Sequence, residues 1–370
     1  MSKHYSKMPS VAFVTYNYYP GMGSTDSYEY TQALAKNGWE VQVIAASNKS
    51  AREINHKKGV KVTSIPVNTI KRISINNPKF SIKAREALKR SKADLIHVFS
   101  YAGCSILRLN QASKISKWIY DLRSGSIQNK ITNIVGKKII DFESSLYDAT
   151  FYIDEAFIPK NKPKYILPLG VNTSRFKPIK IKPISAAKNI IYVGSLSKTR
   201  EIENLVRAFK GVNRSCREAQ LFLVGSGDGE AIIKKTIKKL GLENSVTLTG
   251  FIPYARIPEI LSMADIAISY IPKKPQYEYQ PPIKTLEYLS SSLAVIATDT
   301  YGNRVYVKGG ENGLLVGDDI QELSDSIIKL LTDNDLREKI ISNARKSIIQ
   351  YDYQNIVKDF LIPNYIKILD

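Results

Sequence analysis

Short apolar segments of three to six residues recur along the whole chain, separated by stretches of helix or loop length. In the first half they lie at 11–16, 41–45, 60–65, 95–98, 118–120, 149–153 and 165–167, and in the second half at 189–193, 220–224, 246–249, 266–269 and 294–297. Strands that alternate with helices pair in parallel, and helices cover both faces of the resulting sheet. The sequence therefore predicts an α/β protein built from doubly wound parallel sheets.

A basic, proline-containing segment divides this pattern near the middle of the chain. Residues 177–188 read KPIKIKPISAAK and contain no acidic residue, which is typical of a linker. A chain of 370 residues is also long enough for two hydrophobic cores. We therefore predict an N-terminal domain over 1–176 and a C-terminal domain over 189–354, with a last helix at about 355–370 that packs back on the first domain.

Cysteine and histidine are too sparse to predict a disulfide framework or a metal site. The two cysteines, Cys104 and Cys216, lie far apart, and the three histidines, His4, His56 and His97, are scattered. No apolar run reaches the length of a signal peptide core or a membrane span. We expect a cytoplasmic protein without a metal or another cofactor.

Positive charge is concentrated in the first half of the chain. Residues 1–178 contain 28 Lys and Arg against 12 Asp and Glu, a net +16, whereas residues 179–370 contain 26 against 22, a net +4. Much of the excess lies in 71–92, where Glu86 is the one acidic residue. The basic residues of this segment are Lys71, Arg72, Lys79, Lys83, Arg85, Lys89, Arg90 and Lys92.

The apolar residues of that segment are spaced as one face of a helix. They are Phe80, Ala84, Ala87 and Leu88, so the basic residues form the outer face. Such a helix fits an anionic membrane surface, with Phe80 as a shallow apolar anchor, or an anionic acceptor. It fits equally the solvated face of a lysine-rich protein, and both interpretations stay open. Nucleic acid is not predicted as a partner, because no RNP, zinc-finger or helix-turn-helix pattern is present.

The stretch 281–299, PPIKTLEYLSSSLAVIATD, predicts a helix that leads into a buried strand. Two prolines precede the helix, so we expect the first-turn amides of Lys284 and Thr285 to face an anion. Lys284 and the helix dipole suit a diphosphate, and Glu287, one turn further, suits the vicinal diol of a ribose. The alternative is that Glu287 is a solvated surface charge.

Polar residues also follow two strands of the first half. Ligands of doubly wound sheets bind beyond the carboxyl ends of the strands, and His97, Asp121 and Arg123 lie near such ends. A lone histidine in a strand is also compatible with a packed core residue. Asp121 and Arg123 are two positions apart, so they point the same way and either bind substrate or pair with each other.

Gly225, Gly227 and Gly229 follow the predicted strand at 220–224. A dinucleotide site is not predicted, because the spacing is not G-x-G-x-x-G and the next strand ends at Gly250 without an acidic residue for a ribose. The sequence also contains no G-x-S-x-G elbow and no G-x-x-x-x-G-K-[ST] loop. Serine-based acyl transfer and P-loop chemistry are therefore not predicted.

Several motifs follow one another along nearly the whole chain. They read YYPGMGS, LAKNGWEV, ADLIHVFS, YDLRS and LPLGVNTSRFKP in the first half, and VGSL, LFLVGSGDG, VTLTGFIP, ADIAIS and IKTLEYLSSSLAVIATD in the second. In this order they resemble the retaining glycosyltransferases of the GT-B fold, family 4. The resemblance implies two Rossmann-like domains that face a central cleft, with the acceptor on the first and the nucleotide sugar on the second.

The resemblance also implies roles for individual residues. The glutamate that holds the nucleotide ribose falls on Glu287, and the diphosphate-binding lysine falls on Arg200, which can also clamp phosphate. The diphosphate-binding arginine of the family falls on Ser195. Its first glutamate, near the donor sugar, falls on Tyr279, with Glu278 one position away. The chain therefore departs from the family pattern at two positions.

The expected sites follow from these assignments and from the strand ends. The expected donor-binding residues are Gly194, Ser195, Arg200, Gly225, Phe251, Ile252, Tyr279, Ile283, Lys284, Thr285 and Glu287, among which Arg200, Lys284 and Glu287 are expected to carry catalysis. The expected acceptor-binding residues are Gly21, Met22, Gly23, Ser24, His97, Asp121 and Arg123.

The activity implied by the resemblance is transfer of a sugar from a nucleoside diphosphate donor to a saccharide or lipid-linked acceptor, with retention and without a metal. The leaving phosphate is expected to help deprotonate the acceptor hydroxyl on the same face of the sugar. Two alternatives stay open. One is a catalytically silent protein of this fold that binds a sugar nucleotide or a partner, which Ser195 and Tyr279 motivate, and the other is a nucleotide-sugar epimerase of the same architecture.

Overall fold

The structure is a computed structural model and describes residues 9–19, 25–48, 59–67, 76–109, 116–123, 130–155, 165–178 and 188–370. The chain divides into two compact units, one comprising Met1–Gly170 and Tyr353–Asp370 and the other Val171–Asp352. It therefore passes between the units after Gly170, ahead of the predicted boundary at 176, and again after Asp352. Most of the predicted linker lies outside the described residues.

In its described part, the first unit contains a seven-stranded sheet in which all strands are parallel. The strands are β1 (Ser10–Tyr18), β2 (Glu40–Ser47), β3 (Val60–Pro66), β4 (Leu95–Phe99), β5 (Lys117–Leu122), β6 (Ala149–Tyr152) and β7 (Tyr165–Ile166). They pair in the order β3-β2-β1-β4-β5-β6-β7, so the chain starts in the middle of the sheet and winds outwards on both sides.

Helices connect these strands as the alternating pattern predicts. They are α1 (Thr25–Lys36), α2 (Asn76–Lys89) and α3 (Lys130–Ser145), with a 3₁₀ helix at Cys104–Arg108. Helix α1 is followed by Gly38 at φ 85°, a left-handed conformation that glycine adopts without strain.

Helix α2 places its apolar residues in the core of the first unit. Phe80, Ala84 and Leu88 are 1%, 0% and 4% exposed and pack with residues of β1, β2 and β4. The prediction that Phe80 anchors the chain in a membrane is therefore wrong, because the spacing that makes the helix amphipathic turns this ring inward. Its neighbour Ile82 is 55% exposed.

The second unit contains a six-stranded parallel sheet. Its strands are β8 (Asn189–Val193), β9 (Gln220–Val224), β10 (Val246–Gly250), β11 (Ile266–Ser269), β12 (Ala294–Thr298) and β13 (Leu314–Val316), in the order β10-β9-β8-β11-β12-β13. Its helices are α4 (Glu203–Ser215), α5 (Glu230–Leu240), α6 (Ile257–Leu261), α7 (Pro275–Glu278), α8 (Ile283–Ser290), α9 (Tyr301–Arg304), α10 (Ile320–Thr332) and α11 (Asn334–Ser347), with 3₁₀ helices at Lys198–Arg200, Tyr254–Arg256 and Ile349–Tyr351.

The C-terminal segment belongs to the first unit. It consists of α12 (Tyr353–Ile356), a π-helical turn at Val357–Leu361 and α13 (Ile362–Leu369). Tyr365 of α13 is 0% exposed, and its hydroxyl lies 2.6 Å from Nδ1 of His97 in β4. Residues from the C-terminal segment thus pack against the first sheet. Across the part of the chain that the structure describes, every helix is too short or too polar to cross a bilayer.

Candidate active site

Three neighbouring strands of the second sheet end in glycines with left-handed φ angles. Gly194 follows β8 at φ 154°, Gly225 follows β9 at φ 139°, and Gly250 ends β10 at φ 72°. The amide of Gly225 donates to the carbonyl of Gly250 at 3.0 Å, and a Cβ on Gly225 would lie 1.9 Å from the carbonyl oxygen of Gly194. Only glycine allows this approach. The backbones of these three strand ends therefore pack closely together at the carboxyl edge of the sheet, where ligands of doubly wound sheets bind.

The glycines after β9 also bring two loops together. A Cβ on Gly227 or Gly229 would lie 2.5 Å from backbone atoms of Leu196. The amide of Gly229 donates to the carbonyl of Leu196 at 2.9 Å, and the amide of Lys198 donates to Asp228 Oδ1 at 2.9 Å. The glycine spacing is thus explained by the packing of these two loops against each other.

Two cations of this region lie over aromatic rings. The Cζ atom of Arg200 is 4.3 Å from the centroid of the Tyr277 ring, and Nζ of Lys284 is 4.0 Å from the centroid of Tyr192. Nζ of Lys284 also donates to the carbonyl of Tyr270 at 3.2 Å. Contacts of this kind stabilise partly desolvated cations and fix their positions.

Lys284 lies in a buried environment in which the negative charge of Glu287 only partly offsets the effects that disfavour the charged ammonium group. Burial lowers the pKa of Lys284 well below its ordinary value of 10.5, the positive charge of Arg200 lowers it further, and Glu287 opposes both effects. Two neighbouring cations that repel each other are stabilised by an anion that contacts both. This part of the second unit is therefore suited electrostatically to a phosphate or diphosphate.

Glu287 is buried, at 6% exposure, on helix α8. Its Oε1 accepts a hydrogen bond from the Tyr254 hydroxyl at 2.9 Å. The Tyr254 ring lies 5.6 Å from the ring of Phe176, and Cζ of Arg175 lies 5.5 Å from its centroid. The interpretation of Glu287 as a solvated surface charge is therefore wrong, because its carboxylate is withdrawn from water and oriented by a neighbouring residue.

Thr285 does not offer its polar groups to a ligand. Its amide donates to the carbonyl of Pro282 at 3.1 Å, so the prediction that this amide faces an anion is wrong. Its side chain is 0% exposed, and its hydroxyl lies 2.7 Å from Ser269 Oγ and 2.9 Å from Asn303 Oδ1. Thr285 instead holds α8 to the end of β11 and to α9.

The two residues that depart from the family pattern are both exposed. Ser195 is exposed, and its carbonyl accepts a hydrogen bond from the Tyr192 hydroxyl at 3.2 Å. Tyr279 is 50% exposed, and its ring lies 5.3 Å from that of Tyr301. The neighbouring Glu278 accepts the amide of Tyr301 on its Oε1 at 2.9 Å.

The segment after β10 presents an aromatic surface. Phe251 is 59% exposed, and Ile252 is partly exposed, as is Ile283 at the start of α8. Phe251 directly follows Gly250, so it lies at the same edge of the sheet as the glycine strand ends. An open aromatic face of this kind is suited to stacking with a planar base.

His97 is a core residue of the first unit. It is 0% exposed, its Nδ1 lies 2.6 Å from the Tyr365 hydroxyl and its Nε2 lies 2.9 Å from Asp121 Oδ2. Burial lowers the pKa of His97 against the opposing effect of Asp121. The prediction that His97 contacts an acceptor is therefore wrong, since both ring nitrogens are engaged inside the unit.

Asp121 and Arg123 pair at the carboxyl end of β5. Arg123 Nε lies 3.0 Å from Asp121 Oδ2, and Arg123 Nη1 donates to the carbonyl of Leu167 at 3.0 Å. Asp121 Oδ1 and Arg123 Nη2 are buried without a hydrogen-bond partner among the described residues. The other predicted acceptor residues, Gly21, Met22, Gly23 and Ser24, lie outside the described part of the chain.

Three tyrosines of the site were not predicted, namely Tyr192, Tyr254 and Tyr277. Each of them contacts a predicted residue that lies far away along the chain. The spacing of residues in the sequence therefore does not indicate these contacts. Tyr254 is the exception, because it lies two positions after Ile252, one of the expected donor-binding residues. Within the described ranges there is no group of three or more His, Cys, Asp or Glu that could hold a metal ion.

Two family models match the chain. The model described as Glycosyltransferase Family 4 matches residues 25–118, and the model described as Glycosyl transferases group 1 matches residues 175–347. The alpha-D-kanosaminyltransferase of Streptomyces kanamyceticus is 28% identical over 156 residues, which is 42% of this chain and 39% of that protein. The chain spans less than half the length of the first curated relatives that it matches, with shares of 39%, 43% and 26%.

Solved structures resemble the chain over nearly its whole length. Sucrose-phosphate synthase from Thermosynechococcus elongatus matches with a TM-score of 0.79 and 18% identity, covering 97% of this chain and 98% of that one. HepE of Anabaena, solved in complex with UDP and glucose, matches with a TM-score of 0.73 and 17% identity, covering 96% and 99%. These likenesses establish the architecture, and together with the two family models they show that the chain belongs to the GT-B glycosyltransferases.

Proposed function

We propose that the chain transfers a sugar from a nucleoside diphosphate sugar to a saccharide or lipid-linked acceptor, with retention of the anomeric configuration and without a metal ion. The supporting observation is the grouping of Arg200, Lys284 and Glu287, in which two neighbouring cations lie beside a buried carboxylate. A nucleoside diphosphate carries the complementary groups, because its diphosphate suits the cations and its ribose diol suits the carboxylate.

In the proposed reaction the leaving group is the nucleoside diphosphate. Arg200 and Lys284 stabilise the negative charge that develops on it as the bond between sugar and phosphate breaks. Glu287, oriented by Tyr254, holds the ribose, and Phe251 and Ile252 contact the base. The acceptor hydroxyl forms the new glycosidic bond on the same face and gives its proton to an oxygen of the departing phosphate, so that the configuration is retained.

The acceptor is proposed to bind to the first unit. A hydroxyl group both donates and accepts hydrogen bonds, so an acceptor hydroxyl that reached Asp121 Oδ1 and Arg123 Nη2 would satisfy both atoms. The segment 21–24 is proposed to bind the acceptor as well.

The enzyme is proposed to work in the cytoplasm, at the inner face of a membrane. Lys79, Lys83, Arg90 and Lys92 are exposed on or just after α2, which supports attraction to an anionic leaflet. The exposed Ile82 replaces Phe80 as the proposed apolar contact.

A second candidate is a protein that binds a sugar nucleotide without turnover. This candidate is favoured by Ser195, which is uncharged where the family has a diphosphate-binding arginine. It is also favoured by Glu278, whose carboxylate accepts a hydrogen bond from the first backbone amide of α9. Incubation with a panel of nucleotide sugars, followed by NMR of the products, separates the candidates. Release of nucleoside diphosphate with a retained anomeric centre supports the proposal. Binding without turnover supports the second candidate, and an epimerised sugar contradicts both.

A further inference from the structure

One residue next to the proposed donor site has a strained backbone conformation. Glu201 has φ 52° and ψ 43°, which lie in the left-handed region that a residue with a Cβ disfavours. Among the residues that the structure describes, Ser292 is the one other non-glycine residue with a positive φ angle. Residues strained in this way are concentrated at functional sites, where neighbouring contacts hold them. Glu201 directly follows Arg200, so its conformation fixes how the 3₁₀ helix Lys198–Arg200 ends.

The side chain of Glu201 forms an ion pair with Lys274. Lys274 directly precedes helix α7, and its carbonyl accepts the amide of Tyr277 at 2.9 Å. The ring of Tyr277 is the one over which the guanidinium group of Arg200 lies. The ion pair therefore ties the turn that follows Arg200 to the segment whose aromatic ring contacts Arg200.

A second contact joins the same two segments. Nδ2 of Asn204, in the first turn of α4, donates to the Tyr270 hydroxyl at 3.3 Å. The carbonyl of Tyr270 in turn accepts a hydrogen bond from Nζ of Lys284 at 3.2 Å. The amide of Asn204 donates to the carbonyl of Glu201 at 3.0 Å, which continues the turn into α4. Residues 270–277 thus contact both cations of the proposed donor site, and the turn at Glu201 is tied to this segment on either side.

We propose that Glu201 and Lys274 are positioning residues, whose ion pair holds Glu201 in its left-handed conformation and thereby keeps the Arg200 guanidinium in place for a diphosphate. The role of Arg200 as a diphosphate ligand rests on the proposed function. A direct electrostatic effect of Glu201 on the ligand has the opposite sign. A carboxylate repels an anion that binds beside it, so loss of its charge alone would strengthen binding. A loss of affinity when Glu201 is replaced therefore identifies positioning.

Two substitutions at this position separate the ion pair from the backbone strain. Glu201→Ala removes the pair and leaves a residue that disfavours the left-handed region, whereas Glu201→Gly removes the pair but adopts that region freely. Ion pairs with both side chains 35% exposed contribute little to stability, so the second unit should stay folded in both variants. Thermal unfolding and circular dichroism check this for each variant.

Calorimetry with inorganic pyrophosphate measures the effect, because this probe carries the diphosphate without a base or a sugar. We expect Glu201→Ala to bind pyrophosphate about 5-fold to 30-fold more weakly, the ratio that corresponds to about 1 to 2 kcal/mol of left-handed strain. Glu201→Gly should stay within twofold of the wild type. Unchanged or tighter binding in Glu201→Ala, or equal losses in the two variants, would overturn the proposal.

Lys274→Gln tests the other side of the ion pair. In the wild-type chain it should weaken pyrophosphate binding about as much as Glu201→Ala does, and in a Glu201→Gly background it should change the affinity less than twofold. Equal losses in both backgrounds would mean that Lys274 contacts the anion itself and would overturn the proposal. The matched control is Glu218→Gln, which breaks an exposed ion pair with Lys188 in the same unit and should leave the affinity unchanged.

Sugar transfer with the donor found in the nucleotide-sugar panel keeps this proposal distinct from the proposed function. We expect Glu201→Ala to lower kcat and Glu201→Gly to restore it to within twofold of the wild type; a normal kcat in Glu201→Ala would contradict positioning. If the wild type transfers no sugar, the proposed function fails, and the pyrophosphate affinities still decide on the positioning pair. If Arg200→Ala binds pyrophosphate as tightly as the wild type does, the positioning pair is refuted whatever the transfer assay shows.

Discussion

Replacing Glu287 by glutamine removes the charge of the proposed ribose ligand while leaving its size and its contact with Tyr254. Hydrogen bonds to a charged group contribute about 1.5 to 3 kcal/mol each, whereas neutral ones contribute about 0.5 to 1.5 kcal/mol. Two bonds to a diol that become neutral therefore lose about 2 to 3 kcal/mol in total. At about 1.4 kcal/mol per factor of ten, the nucleotide should bind about 25-fold to 150-fold more weakly.

Calorimetric titration with a nucleoside diphosphate checks this expectation. The matched control is Glu243→Gln, because Glu243 is an exposed glutamate of the same unit. The control should leave both the affinity and the thermal unfolding of the chain unchanged. If Glu287→Gln binds the nucleotide as tightly as the wild type does, Glu287 does not hold the ribose and its burial has a purely structural origin.

Four further outcomes follow from the same contacts. Tyr254→Phe should weaken nucleotide binding in the wild type but not in a Glu287→Ala background, which lacks the side chain that Tyr254 positions. A double-mutant titration measures this, and equal losses in both backgrounds would exclude a positioning role. Arg200→Ala should strongly lower turnover while it changes the unfolding temperature little. If the variant instead unfolds at a lower temperature and its folded fraction transfers sugar normally, Arg200 is a structural residue. Because the pKa of Lys284 is lowered, its charge is lost at a pH below 10.5, so nucleotide affinity should fall as the pH rises towards that value. Lys284→Arg, which stays charged, should abolish that fall, and an unchanged profile would contradict the assignment. The pKa of His97 is lowered in the folded chain, so the unfolded chain takes up the proton first and the free energy of unfolding should decrease as the pH falls below 6.5. His97→Phe should show a smaller decrease in denaturant titrations, and an identical slope would refute the role of this group.

The parallel sheets could be predicted because buried strands are continuous apolar runs. The run Ala294–Thr298, for example, indicates a buried strand from its sequence alone, and all five residues are 0% to 1% exposed in the structure. Strand β13 was missed because three residues at the edge of a sheet form too short and too exposed a run. Helix α9, with four residues, is likewise set by its capping contact at Thr300 rather than by periodicity.

The residues proposed for the donor were predictable in part. Glu287 and Lys284 share one helix, so their spacing could be read from the sequence, but the hydrogen bond that orients Glu287 comes from Tyr254, which lies 33 positions away. Thr285 was misassigned because its hydroxyl meets Ser269 and Asn303, partners that only the folded chain brings together. Sequence patterns place residues on elements, whereas the contacts that free or occupy their polar groups arise from packing between elements.

The same limit explains the errors in the first unit. His97 lies at the end of a strand, where a ligand contact is plausible from topology, yet its partner Tyr365 comes from the far end of the chain. Phe80 was assigned both to the apolar face of a helix and to a membrane. Phe80 is 1% exposed, so it belongs to the apolar face of the helix that packs in the core. An amphipathic pattern already contains this answer, because the face that is apolar at helical spacing is the one that packs on the sheet.

A crystal structure of the chain with a nucleoside diphosphate sugar tests the central proposal most directly. We predict the ribose hydroxyls at hydrogen-bond distance from Glu287, about 2.6 to 3.2 Å, and phosphate oxygens in contact with Arg200 and Lys284. We also predict the base against Phe251 and Ile252. A nucleotide whose ribose lies away from Glu287 and whose phosphates contact neither cation would contradict the account.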